Sequence, residues 1–189
     1  FSVWAADRLI VPEPPNQPWS KINPAVYEPI VTLSYLASIT ENVRLGTSVI
    51  VLPFRNPLVL AKQIVTLDIL SDGRLILGVG VGWMKEEFQA AGVHMKERGA
   101  RTDESIQLFR RLWEEPKPSF KGRFIKFPQI HFDPKPLQSR IPIWIGGNSK
   151  SALRRAAKFG DGWLPVGQLS LQEIDEKIKF LRKKAMEYG

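Results

Sequence analysis

Short apolar runs alternate with helical stretches along the chain, and this order constrains the fold more than any other feature of the sequence. The runs that read as strands are residues 1–5, 43–52, 74–78, 142–146 and 161–165. Helices are predicted over residues 29–40, 56–70, 102–113, 150–159 and from Ser170 onward, with a further helical turn at 83–88. A repeated strand–helix order predicts a parallel sheet with helices outside it. An open doubly wound sheet and a β/α barrel both satisfy this order.

Capping signals mark the ends of several of these helices. Asn56 stands before Pro57 at the start of the second helix, and Gly73 follows its end. Ser170 and Glu173 have the spacing of a capping box. The second helix is apolar nearly all round, which predicts deep burial. The last helix is predicted to pack through one apolar stripe: Leu171, Ile174, Ile178, Leu181 and Ala185.

Two proline-rich segments interrupt the pattern. Residues 11–23 hold four prolines and are predicted to form a loop, long enough for a lid or a wall of the substrate site. Residues 114–142 hold six prolines and are predicted to be an insertion, with a hairpin turn at Lys121–Gly122 between residues 119–120 and 124–125. We expect one domain, residues 1–189, that carries this insertion.

Composition excludes several classes of function. The 189 residues include no cysteine and only two histidines, so disulfides, thiolate chemistry and a histidine-rich metal site are not expected. No apolar run approaches the roughly 20 residues that span a bilayer. The net charge of +8 comes from scattered basic residues, which fits a small polyanionic ligand as well as it fits nucleic acid. We predict a cytoplasmic protein that acts on a small molecule, without nucleic acid, membrane or metal.

Polar or glycine-rich residues follow four of the predicted strands. Ligands bind at the carboxyl ends of strands in both candidate folds. The residues at those ends are Asp7, Arg8, Thr47, Ser48, Val49, Gly80, Val81, Gly82, Gly146, Gly147, Asn148 and Ser149. Four such ends on one face of a sheet predict a binding site there.

The stretch from Arg74 to Glu87 contains the most distinctive of these ends. Gly78, Gly80 and Gly82 alternate with valines, so one side of the backbone is bare. A bare backbone allows a flat ring or a phosphate to approach closely. Tight packing between neighbouring strands explains the same spacing, and the glycines alone do not distinguish the two.

Several stretches of the chain resemble a known family. They are residues 44–83, residues 96–101 (KERGAR), the run PIWIGG that ends at Gly147 and the run DGW that ends at Trp163. Together they resemble the bacterial luciferase-like superfamily, and most closely its deazaflavin (coenzyme F420)-dependent oxidoreductases. FMN-dependent monooxygenases are the sister branch. The resemblance implies a TIM-type (β/α) barrel that is incomplete here, with about five strand–helix units and further strands expected before Phe1 and after Gly189.

The resemblance also implies an activity and an assembly. It implies first that the protein is an oxidoreductase that transfers hydride between a deazaflavin and a small organic substrate. An FMN-dependent monooxygenase is the alternative, and a non-catalytic flavin-binding or truncated barrel is the third. Members of the family often form homodimers, so a homodimer is expected.

For the cofactor site, the resemblance implies roles residue by residue. Ser48–Val49 matches the place of a non-prolyl cis peptide under the ring, beside Thr47, although an ordinary trans strand remains open. Gly80, Val81 and Gly82 would line the cofactor, with Glu86 near the edge of the ring. The phosphate would lie on Gly146, Gly147, Asn148 and Ser149, with charge added by Arg101; a simple helix cap is the alternative for this loop.

Two positions depart from the family pattern. Arg8 stands where many relatives have a histidine, and arginine cannot act as a base at neutral pH. Arg8 could instead neutralise a reduced deazaflavin or bind an acidic substrate, while Asp7 contacts the ring or pairs with Arg8. Trp83 stands where one branch has a glutamate that acts as an acid, so that role cannot be carried over, and Trp83 would stack on a ring or merely pack. No catalytic acid or base is identified.

Overall fold

The protein is described by a computed structural model that covers residues 1–12 and 25–189. The segment predicted to form a lid or substrate wall, residues 11–23, lies mostly outside these described residues. The main sheet contains β1 (Ser2–Ala5), β2 (Arg44–Thr47), β3 (Ile50–Val51), β4 (Leu75–Gly80), β7 (Ile143–Gly146) and β8 (Gly162–Leu164). Its strands are parallel in the order β1-β2-β4-β7-β8, and β3 also pairs with β4. The predicted parallel sheet is therefore confirmed.

Helices alternate with these strands as the sequence predicts. They are α1 (Pro29–Ile39), α2 (Pro57–Leu70), α3 (Lys85–Ala90), α4 (Arg98–Glu114), α5 (Lys150–Phe159) and α6 (Leu171–Tyr188). The side chain of Asn56 accepts hydrogen bonds from the first turn of α2, and Ser170 and Glu173 form the predicted capping box of α6. None of the helices in the described part of the chain is long and apolar enough to cross a bilayer.

The predicted strand 43–52 is interrupted in its middle. A cis peptide bond joins Ser48 to Val49, and it separates β2 from β3. The β-branched pattern of this segment predicts extended backbone on both sides but carries no local mark of the break. Helix starts also differ: α4 begins four residues earlier than predicted because a 3-10 turn at Met95–Glu97 leads directly into it.

The proline-rich insertion contains the predicted hairpin, with a shifted second strand. β5 (Phe120–Lys121) pairs with β6 (Lys126–Phe127), so the prediction that residues 124–125 form the strand is wrong. The reason is Glu104 on α4, whose carboxylate accepts the backbone N–H groups of Arg123, Phe124 and Ile125 at 2.7, 2.9 and 2.8 Å. These bonds hold those residues in the turn.

The core lies between the sheet and the helices α1, α2 and α4. Leu45, Leu75 and Leu77 of the strands are fully buried. The prediction of deep burial for all of α2 is wrong on its outer face, where Val59 and Leu70 are 56% and 60% exposed. The apolar stripe of α6 packs against α5, but no residue of α6 is buried, and Leu171 is 86% exposed.

Candidate functional site

A cavity of about 340 Å³ opens at the carboxyl ends of the parallel strands. It is lined by Ala6, Asp7, Arg8, Ser48, Val49, Val51, Gly82, Trp83, Glu87, Leu164, Pro165, Val166 and Gly167. Residues that follow β1, β2, β4 and β8 thus meet in one place, as the strand-end argument predicts. Six of the predicted site residues are among them: Asp7, Arg8, Ser48, Val49, Gly82 and Trp83.

Val49 forms part of the cavity floor and packs into the bare glycine surfaces behind it. A Cβ added at Gly80 would lie 2.6 Å from Val49 Cγ2, and one at Gly146 would lie 2.8 Å from Val49 Cγ1. A Cβ at Gly78 would lie 1.8 Å from the carbonyl oxygen of Thr47. Since side-chain carbons need about 3.5–4.0 Å, these glycines make room for residues 47–49. Tight strand packing therefore explains the spacing, and contact of Gly80 and Gly146 with a cofactor stays a prediction.

Thr47 and Val81 stand next to the lining without forming part of it. Thr47 is fully buried, and its hydroxyl donates to the carbonyl oxygen of Gly78 at 2.7 Å. The backbone N–H of Ser48 donates to the carbonyl of Ala5 at 2.8 Å, which ties the floor to the end of β1. Val81 immediately precedes Gly82 at the end of β4, and its predicted contact with a cofactor remains a prediction.

Asp7 pairs with Arg55, so the predicted alternative of a pair with Arg8 is wrong. One carboxylate oxygen of Asp7 accepts from Arg55 Nη2 at 2.9 Å, and the other accepts the backbone N–H of Val51 at 2.9 Å. Arg55 also binds Glu28, whose carboxylate caps α1. Burial alone would lower the pKa of Arg55, but the carboxylates of Asp7 and Glu28 outweigh burial and raise that pKa. The Arg55 side chain is therefore permanently charged.

Arg8 pairs with Glu87, which the sequence reasoning missed. Arg8 Nη1 donates to Glu87 Oε2 at 2.9 Å, and the backbone N–H of Leu9 donates to Glu87 Oε1 at 2.9 Å. The Arg8 guanidinium also lies 5.2 Å from the centre of the Trp83 ring. The expected Glu86 lies outside the cavity lining. Met84 and Phe88, both buried, set the inner face of this turn, and their spacing is the signal that could have indicated Glu87.

The loop after β7 is held mainly by its own contacts. Ser149 caps α5 by accepting the N–H of Ala152 at 3.1 Å, so the helix-cap alternative is realised for its side chain. The side chain of Asn148 binds the backbone of Val166, which lines the cavity, at 2.6 and 3.1 Å. Gly147 has a φ of 113° and accepts the indole N–H of Trp163 at 2.8 Å. The loop therefore adjoins the cavity through Val166.

Arg101 lies in different surroundings. It pairs with Glu97 at 2.9 Å and lies 4.3 Å from the centre of the Phe124 ring. Arg101 and Phe124 line a second cavity of about 360 Å³ between α4, the insertion and residues 52–58. The recorded contacts of Arg101 thus give no support to its predicted place beside the loop at 146–149. Among the described residues, no cluster of three His, Cys, Asp or Glu side chains could hold a metal ion.

Comparison with known proteins gives the family. The chain matches the luciferase-like monooxygenase family model over residues 1–189. An F420-dependent glucose-6-phosphate dehydrogenase of Amycolatopsis mediterranei is 31% identical over 181 residues, which are 94% of this chain and 52% of that protein. A crystal structure of a monooxygenase from Streptomyces bottropensis has a TM-score of 0.78 at 30% identity, covering 86% of this chain and 50% of that one.

A solved F420-dependent secondary alcohol dehydrogenase, in complex with an F420–acetone adduct, shares the fold. Its TM-score is 0.85 at 24% identity, covering 100% of this chain and 56% of that one. The chain thus spans about half the length of these three proteins. Within the described residues β1 and β8 are the two ends of the strand order, as expected for an incomplete barrel. The chain belongs to the luciferase-like monooxygenase family, and the resemblance to its F420-dependent members is confirmed.

Proposed function

We propose that this chain forms the cofactor-holding part of an oxidoreductase that transfers hydride between deazaflavin F420 and a small organic substrate. The observation that carries the proposal is the cavity at the carboxyl ends of the strands, with residues from four strand ends around it. Its volume of about 340 Å³ falls in the range of small-molecule sites, roughly 300–1,000 Å³. The relatives with F420 in their names support this choice of cofactor.

The residues present fit a flat ring with polar edges. Val49 and Val51 offer apolar surface for a ring face, and Ser48 and Asp7 offer polar atoms at the rim. The loop at residues 146–149 precedes α5, and the amino end of a ten-residue helix favours an anion such as the phosphate of the cofactor. Residues Asp7, Ser48, Val49 and Gly82 would therefore hold the ring, and residues 146–149 the phosphate.

The protein's own contribution is positioning and exclusion of water. When bound, a deazaflavin supplies a hydride-transferring carbon, C5. Val49 packs closely against the backbone at Gly80 and Gly146, and this contact keeps the cavity floor from moving away from the ring. Asp7 is 3% exposed and held by two hydrogen bonds, which keeps its carboxylate in one orientation. Arg8 is an arginine, a residue type that does not serve as a general base.

The second candidate is an FMN-dependent monooxygenase. It is favoured by the monooxygenase from Streptomyces bottropensis, which shares 30% identity over 86% of this chain. Deazaflavin has carbon where flavin has the nitrogen that supports oxygen activation, so the two candidates differ in reaction type. A third candidate, a non-catalytic flavin-binding or truncated barrel, is supported by the strand edges of β1 and β8 at the ends of the sheet.

Titration of the purified protein with F420 and, separately, with FMN tests the proposal. Binding is read from cofactor fluorescence and anisotropy, and we expect binding of F420 with a clear preference over FMN. Preference for FMN would move the protein to the monooxygenase candidate. Binding of neither would refute both enzymatic candidates and leave the truncated barrel without a bound flavin.

Two matched variants test whether the cofactor binds in the cavity. Val166 lines the cavity and is 55% exposed, while Val59 lies on the outer face of α2 and is 56% exposed. Val166→Trp should narrow the cavity and weaken F420 binding by at least about tenfold. Val59→Trp makes the same change at equal exposure and should leave binding unchanged. Equal effects of the two variants would show that F420 binds elsewhere.

A further inference from the structure

We infer that the site takes an uncharged substrate, because the ionic groups that border the cavity are neutralised in pairs by the protein itself. This inference rests on the function proposed above and names the substrate class of the same site. It replaces the expectation that Arg8 binds an acidic substrate.

The first pair is Arg8 with Glu87. Their side chains are 13% and 4% exposed, and they meet at 2.9 Å. Glu87 also accepts the backbone N–H of Leu9, so its carboxylate is fixed and cannot swing aside without losing a second bond. An incoming carboxylate or phosphate would have to compete with Glu87 for Arg8, and it would leave the buried carboxylate of Glu87 without its partner. Such uncompensated burial is costly.

The second pair is Asp7 with Arg55. Their side chains are 3% and 15% exposed, and the contact measures 2.9 Å. Asp7, Arg8 and Glu87 are the charged residues in the described lining of the cavity. Each therefore has a partner of opposite sign, and neither an anion nor a cation gains a free counter-ion there.

The rest of the lining favours apolar or aromatic contact. Leu164, Pro165 and Val166 form one wall, and Trp83, which is 51% exposed, stands at the mouth against the Arg8 guanidinium. The flat indole and the aliphatic wall can bind the uncharged surface of a substrate, whereas an ionic substrate would lose its hydration there without gaining a counter-ion. Glu87 is thus a positioning residue that sets the charge of the site by holding Arg8.

Three probes of one shape test this inference: benzyl alcohol, benzoate and benzylammonium. They are titrated into the ¹⁵N-labelled full chain at pH 7, and the indole N–H resonance of Trp83 reports binding. The chain has six tryptophans, so the Trp83→Phe variant assigns this resonance. We expect benzyl alcohol to bind about tenfold more tightly than either ion.

Variants that remove one charge of the Arg8–Glu87 pair give the decisive comparison. Glu87→Gln leaves Arg8 unpaired and should raise the affinity for benzoate about tenfold, whereas Arg8→Gln leaves Glu87 unpaired and should raise the affinity for benzylammonium by a similar factor. The double variant removes both charges and should return the preference for benzyl alcohol. Glu86→Gln makes the same charge change one residue earlier, outside the lining, and should not alter the preference.

Several results would overturn the inference. They are benzoate binding as tightly as benzyl alcohol to the unmodified protein, an unchanged preference in both single variants, or no shift of Trp83 with any probe. If Glu87→Gln fails to fold, as judged by loss of spectral dispersion, Arg8→Gln still decides the matter. These titrations need no cofactor, so failure to bind F420 would refute the proposed function while leaving the probe preference as an independent result.

Discussion

The packing of Val49 against Gly80 of β4 gives a prediction that can be worked out in detail. In a Gly80→Ala variant the new methyl carbon would lie 2.6 Å from Val49 Cγ2. Carbon atoms of this kind approach to about 3.5–4.0 Å, so the overlap is about one ångström and β4 or residues 47–49 must move. Overpacking of this kind costs about 1–3 kcal/mol, a large share of the roughly 5–15 kcal/mol that stabilises a typical domain.

A double-mutant cycle separates this clash from the general cost of changing a buried glycine. Val49→Ala removes both Cγ atoms, and the next atom of residue 49, its Cβ, lies 3.7 Å from the added carbon, an ordinary contact. Gly80→Ala should therefore cost about 2 kcal/mol in the native background and close to zero in Val49→Ala, a coupling of about 1–2 kcal/mol.

Urea unfolding followed by tryptophan fluorescence measures all four proteins. The reasoning is refuted if Gly80→Ala costs the same free energy of unfolding in both backgrounds, or if its cost in the native background is below about 0.5 kcal/mol. The same shift should reach the cavity floor, so Gly80→Ala should also weaken cofactor binding more than it does in the Val49→Ala background.

Three further predictions concern the frame of the site. Asp7→Ala leaves Arg55 without its buried partner and should lower the free energy of unfolding by about 3 kcal/mol, measured by urea unfolding, whereas no loss would mean that the pair is not formed. Asn56→Ala removes the cap of α2 and should cost about 1 kcal/mol by thermal unfolding, with Asn42→Ala, which is outside any helix, as the neutral control. Burial raises the pKa of Asp161, but the N–H of Ile143 and the guanidiniums of Arg140 and Arg110 outweigh it, and the net pKa lies below its ordinary value. A carboxylate whose pKa is lowered by folding stabilises the folded state at pH values above its unfolded-state pKa. Asp161→Asn should therefore lower the free energy of unfolding at pH 7. The difference in this free energy between the variant and the native protein should shrink as the pH falls below about 4.

Local signals account for what could be predicted from the sequence. The order of strands and helices, the cap at Asn56 and the capping box at Ser170 and Glu173 depend on residues close together in the chain. The strand-end rule then placed Asp7, Arg8, Ser48 and Val49 correctly at one cavity. Each of these features needs only period, spacing and the direction of parallel strands.

Partners that are distant in sequence could not be predicted in the same way. Glu87 lies 79 positions after Arg8, and Arg55 lies 48 positions after Asp7. Asp7 and Arg8 are adjacent, so the sequence favours pairing them with each other, but Asp7 meets Arg55 and Arg8 meets Glu87. The role of the β4 glycines could not be predicted either, because their bare side faces residues 47–49, which belong to a neighbouring segment that is distant in sequence.

The two ion pairs also connect parts of the chain that are distant in sequence. Glu87 binds the backbone of Leu9, and Arg55 joins Asp7 to Glu28 at the start of α1. Leu9 and Glu28, which both lie in the described part of the chain, are therefore tied to the frame of the site, so the position of each depends on the ion pair that holds it.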